Sequence, residues 1–337
     1  MKLANRPEPG DGKMNLVTER SIATDERTAS GNNQRTAVVV PCYNEATTIA
    51  QVIKDFKAIL PDAEIYVYDN NSGDATAATA RAAGAIVRTE TRQGKGNVVR
   101  RMFADIDAEI YIMVDGDATY NAASAPAMIE KLRNEKLDMV VGCRKSMEQE
   151  AYRAGHRFGN AMLTGFVARL FGSEFSDLLS GYRVFSRRFV KSFPALASGF
   201  ETETEIAVHA LELRMPIGEV ETPYGARPEG SESKLSTYRD GFRILRLITS
   251  LYRREHPQRF YGMIAVLFAL TSIVLAIPIG QTYIETGLVP RMPTAFLCVG
   301  LMLSALLSFI CGLILDVVTH GRQEMKRLAY LAIPAVR

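Results

Sequence analysis

Ile110-Tyr111-Ile112-Met113-Val114-Asp115-Gly116-Asp117 sets the architecture of this chain. Five apolar residues in a row read as a strand buried on both faces, the pattern of a parallel sheet covered by helices. The acidic pair behind it falls where such sheets bind ligands, beyond the carboxyl ends of the strands. Two carboxylates with a glycine between them, which lets a ligand approach closely, suit a hard divalent cation. Oxygen donors favour Mg2+ or Mn2+ over zinc. A second Asp-x-Asp, Asp105-Ile106-Asp107, lies near a helix end and reads as solvated surface.

The same grammar extends on both sides. Strands are expected at Ala37–Val40, Glu64–Tyr68, Ala85–Arg88, Ile110–Val114 and Met139–Val141, and helices over 45–59, 74–83, 96–106, 123–134, 156–171 and 202–213. This alternation predicts a mostly parallel α/β sheet with helices on both faces. Pro41 is expected to end the first strand, and Asn44 to cap the helix that follows. The loops after three strands then carry acidic or amide groups: Pro41-Cys42-Tyr43-Asn44-Glu45, Asp69-Asn70-Asn71-Ser72-Gly73-Asp74 and Asp115-Gly116-Asp117.

Gly94-Lys95-Gly96 opens a helix whose backbone amides can hold a phosphate. It is neither a Walker A loop nor a dinucleotide fingerprint, because Thr89 and Val99 stand where those patterns need glycine. Two later segments are polar and glycine-rich: Asp177-Leu178-Leu179-Ser180-Gly181-Tyr182-Arg183, and 224–234, which holds Arg227, Ser233 and Lys234. Arg183, Arg227 and Lys234 are candidates to pair with phosphates.

The chain has 337 residues, 40 Lys+Arg against 37 Asp+Glu and 47% apolar residues, which excludes a wholly disordered chain or a disulfide scaffold. A net charge of +3 argues against a dedicated nucleic-acid binder. Cys42, Cys143, Cys298 and Cys311 form no CxxC pair and read as reduced apolar residues.

A mean hydropathy near zero conceals segregation. Residues 261–280 and 294–315 carry no charge, and each is long enough to cross a bilayer. A buried core helix usually shows a polar stripe, and these do not. Six arginines at 239, 243, 246, 253, 254 and 259, together with Arg322, Lys326, Arg327 and Arg337, flank the pair, whereas the connecting loop holds only Glu285 and Arg291. Positive flanks predict both termini and the large domain on the cytoplasmic side of an inner membrane. Ile244, Leu245, Ile248, Leu251 and Tyr252 share a helical face opposite Arg243, Arg246, Arg253 and Arg254, which predicts an amphipathic helix in the headgroup layer. The expected plan is a disordered tail over 1–35, a catalytic domain over 36–238, the amphipathic helix over 239–259, a membrane hairpin over 260–319 and a cytoplasmic tail over 320–337. Gly300, Ser304 and Ser308 repeat at the four-residue spacing that can mediate helix contacts, so a homo-oligomer is open.

Taken together and in order, Val38 to Glu45, Asp69 to Ser72, Gly94 to Gly96, Asp115 to Asp117, Gly142 to Arg144, Ser180 to Arg183, and Ser233-Lys234 resemble the family-2 glycosyltransferases of the GT-A fold. The resemblance is greatest to the polyprenyl-phosphate sugar synthases, the group of dolichol-phosphate mannosyltransferase and the bactoprenol glucosyltransferases. It implies a nucleotide-diphosphate sugar as donor, with uracil favoured over guanine, a polyprenyl phosphate as acceptor, and Mg2+ or Mn2+ as cofactor. Asp69 would hold the nucleobase, with Pro41, Tyr43 and Glu45 around the nucleoside and Lys95 in the donor site. Asp115 and Asp117 would serve donor and metal, Asp117 as the direct ligand. Asp177 would stand by the acceptor as a candidate base, and Arg144, Arg183, Arg227, Ser233 and Lys234 would hold donor or lipid phosphates. Many members carry a Gln where this chain has Thr119. The alternatives are a membrane glycosyltransferase acting on diacylglycerol or a growing glycan, and an inactive membrane-anchored scaffold.

Overall fold

The computed structural model describes residues 35–146, 176–199, 201–225 and 249–336, with single positions 165 and 246. The expected helix over 156–171 apart from position 165, the expected tail over 1–35 apart from Arg35, and Arg227, Ser233 and Lys234 lie outside the described residues.

Seven strands form one sheet: β1 (Thr36–Cys42), β2 (Glu64–Asp69), β3 (Ile86–Thr89), β4 (Ile110–Met113), β5 (Met139–Ser146), β6 (Arg183–Ser186) and β7 (Ile217–Tyr224). Their order is β3-β2-β1-β4-β6-β5-β7. All neighbours are parallel except β6, which runs antiparallel to both β4 and β5. Alternation along each strand builds two cores. Val39, Tyr68, Tyr111, Met113, Val141 and Phe185 point to one face, and Val38, Val40, Val67, Ile112, Val140 and Val184 to the other. Helices α1 (Ile49–Ile59) and α4 (Ala125–Asn134) cover the second face. Helices α3 (Lys95–Asp105), α5 (Arg187–Ser192) and α6 (Thr202–Glu212) cover the first, and α2 (Thr76–Ala82) follows β2.

Two local expectations change. β1 continues through Pro41 to Cys42, with Pro41 paired to Tyr68. There β4 has already ended at the Val39–Met113 pair, so one side of the strand asks no N–H of Pro41. Asn44 does not cap α1, which starts at Ile49 behind Thr48. Its Oδ1 instead accepts from Gly73 N at 2.8 Å, and its own N–H donates to Ser72 Oγ at 2.9 Å. The loops after β1 and β2 are thereby tied to each other.

Two long apolar helices follow, α7 (Pro257–Thr286) and α8 (Met292–Leu331), each able by length and composition to cross a membrane. Only 11% and 17% of their most apolar windows are buried within the chain. They pack along a seam of small residues: Ala265 and Ser272 on α7, and Cys298, Ala305, Gly312 and Thr319 on α8. The seven-residue spacing on α8 is that of left-handed helix packing, and Ser272 Oγ donates across the seam to Cys298 O at 2.8 Å. Gly300 lies exposed, off this seam.

The expected C-terminal tail is a helix as far as Leu331. Past its apolar stretch α8 docks on the sheet domain: Lys326 Nζ lies 2.6 Å from Glu212 Oε2 on α6, and Tyr330 OH donates to Asp138 Oδ2 at 2.7 Å. Residues 249–255 are helical, with Leu251 buried in the core cluster that includes Val208 and Leu211. Leu251, on the face expected to enter the headgroup layer, is thus turned onto protein.

Candidate functional site

The carboxyl ends of β1, β2, β4 and β5 share one edge, and antiparallel β6 begins at that edge because Arg183 pairs with both Met113 and Val141. The segment 177–182 before β6 is therefore delivered beside Asp115-Gly116-Asp117. Contact is close enough that a Cβ at Gly181 would strike the Asp115 carboxylate. Gly181 N donates to Tyr120 OH at 2.8 Å, and the Tyr120 ring lies 5.2 Å from that of Tyr224 at the end of β7. Arg144 sits over the Tyr224 ring at 5.6 Å.

On one side of this edge stands the group expected to face a nucleotide. Asp69 is buried, with Oδ2 accepting from Ser72 N at 3.3 Å and Oδ1 buried without a hydrogen-bond partner. A buried carboxylate oxygen in that state is costly unless a ligand N–H or water meets it. Asn70 fixes the adjoining loop: its amide donates to Glu90 O and Arg92 O, and its oxygen accepts from Gly94 N at 2.7 Å. Pro41, near the end of β1, and Tyr43 and Glu45, in the loop from β1 to α1, are half-buried. Thr48 Oγ1 donates to Gly116 O at 2.6 Å, which ties that loop to the acidic pair.

Asp117 is buried and accepts from Thr119 Oγ1 at 2.6 Å and Thr119 N at 3.2 Å. Thr119 thus orients the Asp117 carboxylate. Asp115 is more open and accepts from Lys95 Nζ at 2.6 Å. Lys95 also reaches Glu203 Oε1 at 2.6 Å. Burial pushes the Lys95 pKa down, but Asp115 and Glu203 outweigh it and the net shift is upward, so Lys95 is a fixed cation. Among the described residues no group of three or more His, Cys, Asp and Glu could hold a metal by itself. Asp115 and Asp117 provide hard oxygen donors that fit Mg2+ or Mn2+ when a ligand's own oxygens complete the shell.

Across the site, Asp177 is clasped by Arg144, with Nε to Oδ2 at 2.6 Å and Nη2 to Oδ1 at 2.7 Å. Burial pushes the Asp177 pKa up, yet the Arg144 hydrogen bonds and charge hold it below the usual carboxylate value. A carboxylate so stabilised is a weak base.

Arg183 does not take the phosphate-holding place expected of it. Its side chain is fully buried in β6, where Nε donates to Ser180 O at 3.0 Å and Nη2 to Leu178 O. The guanidinium has no open face for a phosphate; it shapes the 177–182 turn from within. Asp105 and Asp107 pair with Arg101 and Arg187, respectively, as structural surface charges. Glu203 and Tyr120 are site residues the sequence did not announce. Glu203 lies far along the chain from Lys95, and only the packing of α6 on α3 joins them.

A family model described as glycosyl transferase family 2 matches residues 37–193. Glycosyltransferase AglJ of Haloferax volcanii is 33% identical over 300 residues, covering 87% of this chain and 97% of that protein. The chain belongs to glycosyl transferase family 2. A dolichyl-phosphate hexose transferase of Haloferax volcanii is 27% identical, covering 65% of this family-2 glycosyltransferase and 94% of the relative. The solved glucosyl-3-phosphoglycerate synthase of Mycobacterium tuberculosis, in complex with Mn2+, UDP-glucose and phosphoglyceric acid, is similar in fold. Its TM-score is 0.52 at 23% identity, covering 65% of this chain and 79% of that one.

Proposed function

We propose that this glycosyltransferase moves a sugar, with inversion, from a nucleotide-diphosphate sugar to a polyprenyl phosphate at the cytoplasmic face of a membrane. The observation that carries the reading is α8. This single helix runs from an exposed apolar hairpin to Glu212 on α6 and to Asp138, just before β5, in the domain that bears Asp115 and Asp117. A catalytic domain fastened to its own apolar anchor suits an acceptor that cannot leave the bilayer. The name of the dolichyl-phosphate hexose transferase supports the same acceptor class. The Mn2+ and UDP-glucose bound by the solved structural relative support a uridine donor.

Asp69 takes the base, through the carboxylate oxygen that the protein leaves unpartnered. Lys95 offers its ammonium to the diphosphate, and Asp115 and Asp117 hold the divalent metal, which when bound neutralises the leaving group. The acceptor phosphate has a second pKa of ~6 and is largely dianionic at pH 7. One of its oxygens forms the bond to the anomeric carbon as the bond to the diphosphate breaks, and the nucleoside diphosphate leaves with the electron pair. A dianion has no proton to lose, so Asp177 need not act as a base; with Arg144 it orients the acceptor. Positioning and charge neutralisation then supply the rate.

The test is a lipid-product assay with purified protein, Mg2+ or Mn2+, a panel of UDP- and GDP-sugars, and undecaprenyl phosphate, diacylglycerol or 3-phosphoglycerate as acceptor. Mass spectrometry is expected to find one product, sugar plus undecaprenyl phosphate, and Asp117→Ala is expected to abolish it. Turnover on another acceptor alone would overturn the lipid-phosphate reading. Full turnover by Asp117→Ala would overturn the metal assignment.

A further inference from the structure

Lys95 is held from two sides, and only one of them belongs to the acidic pair after β4. Its ammonium lies 2.6 Å from Asp115 Oδ1 and 2.6 Å from Glu203 Oε1. The Asp115 side chain is 30% exposed, whereas those of Lys95 and Glu203 are 11% and 7% exposed. Asp115 therefore stands at the mouth of the site and Glu203 at its back.

The backbone makes this arrangement rigid. Gly94, at φ 124°, and Gly96 flank Lys95, and a Cβ on either would collide with the chain just before α6. At Gly94 the obstacle is Ser198 O; at Gly96 it is Ala197 O and Thr202 Oγ1. That chain is itself pinned, since Leu196 N and Ala197 N donate to the Glu205 carboxylate at 2.9 and 2.8 Å. Glu203 is the second residue of α6 and so arrives at Lys95 with little freedom. Its other oxygen, Oε2, is buried without a hydrogen-bond partner.

Charge accounting gives this pairing a consequence. With Glu203 in place, Lys95 divides its attraction between two carboxylates. Without that charge the ammonium would pair with Asp115 alone, in a setting where a partly desolvated ion pair is strong. Asp115 would then be less available to a metal and the donor diphosphate, and Lys95 would be drawn off the position that faces them.

We propose that Glu203 is a positioning residue of the donor site: it holds Lys95 from behind and keeps Asp115 free to receive the metal and the nucleotide. This rests on the reading of Asp69, Lys95, Asp115 and Asp117 as that site.

The experiment is calorimetric binding of UDP, with GDP as a second probe, to the full chain in detergent over a series of Mn2+ concentrations. Thermal unfolding of each variant is recorded alongside. Outer partners of metal and ligand groups commonly change affinity by about 10–100-fold. Glu203→Gln, close to isosteric, is expected to weaken Mn2+-dependent UDP binding about tenfold and to raise the Mn2+ needed for half-saturation by a similar factor. Glu203→Asp keeps the charge at a shorter reach and is expected to fall between. Should the Gln variant fail to fold, the Asp variant decides alone.

Because Glu203 acts through Lys95, adding Glu203→Gln to Lys95→Gln is expected to cost no further affinity, the non-additivity of residues that work as a pair. Wild-type binding by Glu203→Gln, or by Glu203→Asp if that variant decides, at an unchanged Mn2+ requirement would overturn the proposal while leaving the donor site standing. Fully additive losses in the double variant would also overturn it. If the wild-type chain bound neither nucleotide with Mn2+, the donor-site reading itself would fall.

Discussion

Asp177 and its grip on Arg144 separate two views of how the acceptor is activated. If Asp177 removed a proton, its protonation would appear in the rate. Its pKa, held below the ordinary aspartate value by Arg144 against the opposing effect of burial, keeps it ionised at every pH above about 5. The acceptor phosphate, with a second pKa of ~6, is the group that titrates in the working range. The rate at saturating donor is therefore expected to rise as pH increases from 5 to 7 in the wild type, and to rise with the same midpoint in Asp177→Asn. The variant loses amplitude because the two-point ionic clasp between Arg144 and Asp177 is weakened. Initial rates across pH 5–8 check this, and loss of the pH dependence in Asp177→Asn would restore the base role. The gathering of the site candidates at one edge was legible residue by residue. Asp69 ends a strand, Asp115 and Asp117 follow one and Lys95 opens a helix, and loops after strands gather at one edge. Arg183 misled because a buried arginine satisfied by backbone carbonyls has the same letters around it as one that meets a phosphate.

Among the elements, the early strands were legible and the late ones were not. β1, β2, β4 and β5 are apolar runs, whereas β6 is four residues long and begins on Arg183. β7 is an edge strand whose sequence, IGEVETPY, mixes acids with Pro223. Neither carries the periodicity that marks a strand. The far end of α8 was hidden for a different reason. Beyond Leu315 its composition turns charged, which reads as a solvated tail until the partners Glu212 and Asp138 are seen. Those partners make a prediction at this scale. Glu212 is 1% exposed and its salt-bridge partner is Lys326, so Lys326→Ala would strand a buried carboxylate. Removing one member of such a pair costs ~3–5 kcal/mol, whereas replacing both with apolar residues is often neutral. Thermal unfolding in detergent should show a large drop in Tm for Lys326→Ala and recovery in Lys326→Met with Glu212→Leu. Equal Tm in Lys326→Ala and wild type would mean that α8 does not lean on α6 in the working protein.

At the scale of the whole molecule, the reading depends on which side of the membrane holds the sheet domain. α7 ends at Gly287, in the left-handed conformation that closes helices, and α8 begins at Met292, so the hairpin turns within a few residues. That turn carries Arg291, and Glu285 precedes it in the last turn of α7, while the arginine-rich flanks lie at the other ends of both helices. The excess of Lys and Arg on the domain side is the ground for proposing that this side faces the cytoplasm. With the four native cysteines replaced, a single cysteine at Leu288 is expected to react with a membrane-impermeant maleimide added outside intact spheroplasts. One at Ile333, beyond the docked end of α8, is expected to react only after permeabilisation. The reverse pattern would put Asp115 and Asp117 on the side without donor, and no arrangement of side chains within the site could then rescue the proposed reaction. Labelling of both positions from outside would mean that α7 and α8 do not span the bilayer as a pair. The lipid acceptor would then have to reach the sheet by some route other than the helix that binds sheet and anchor together.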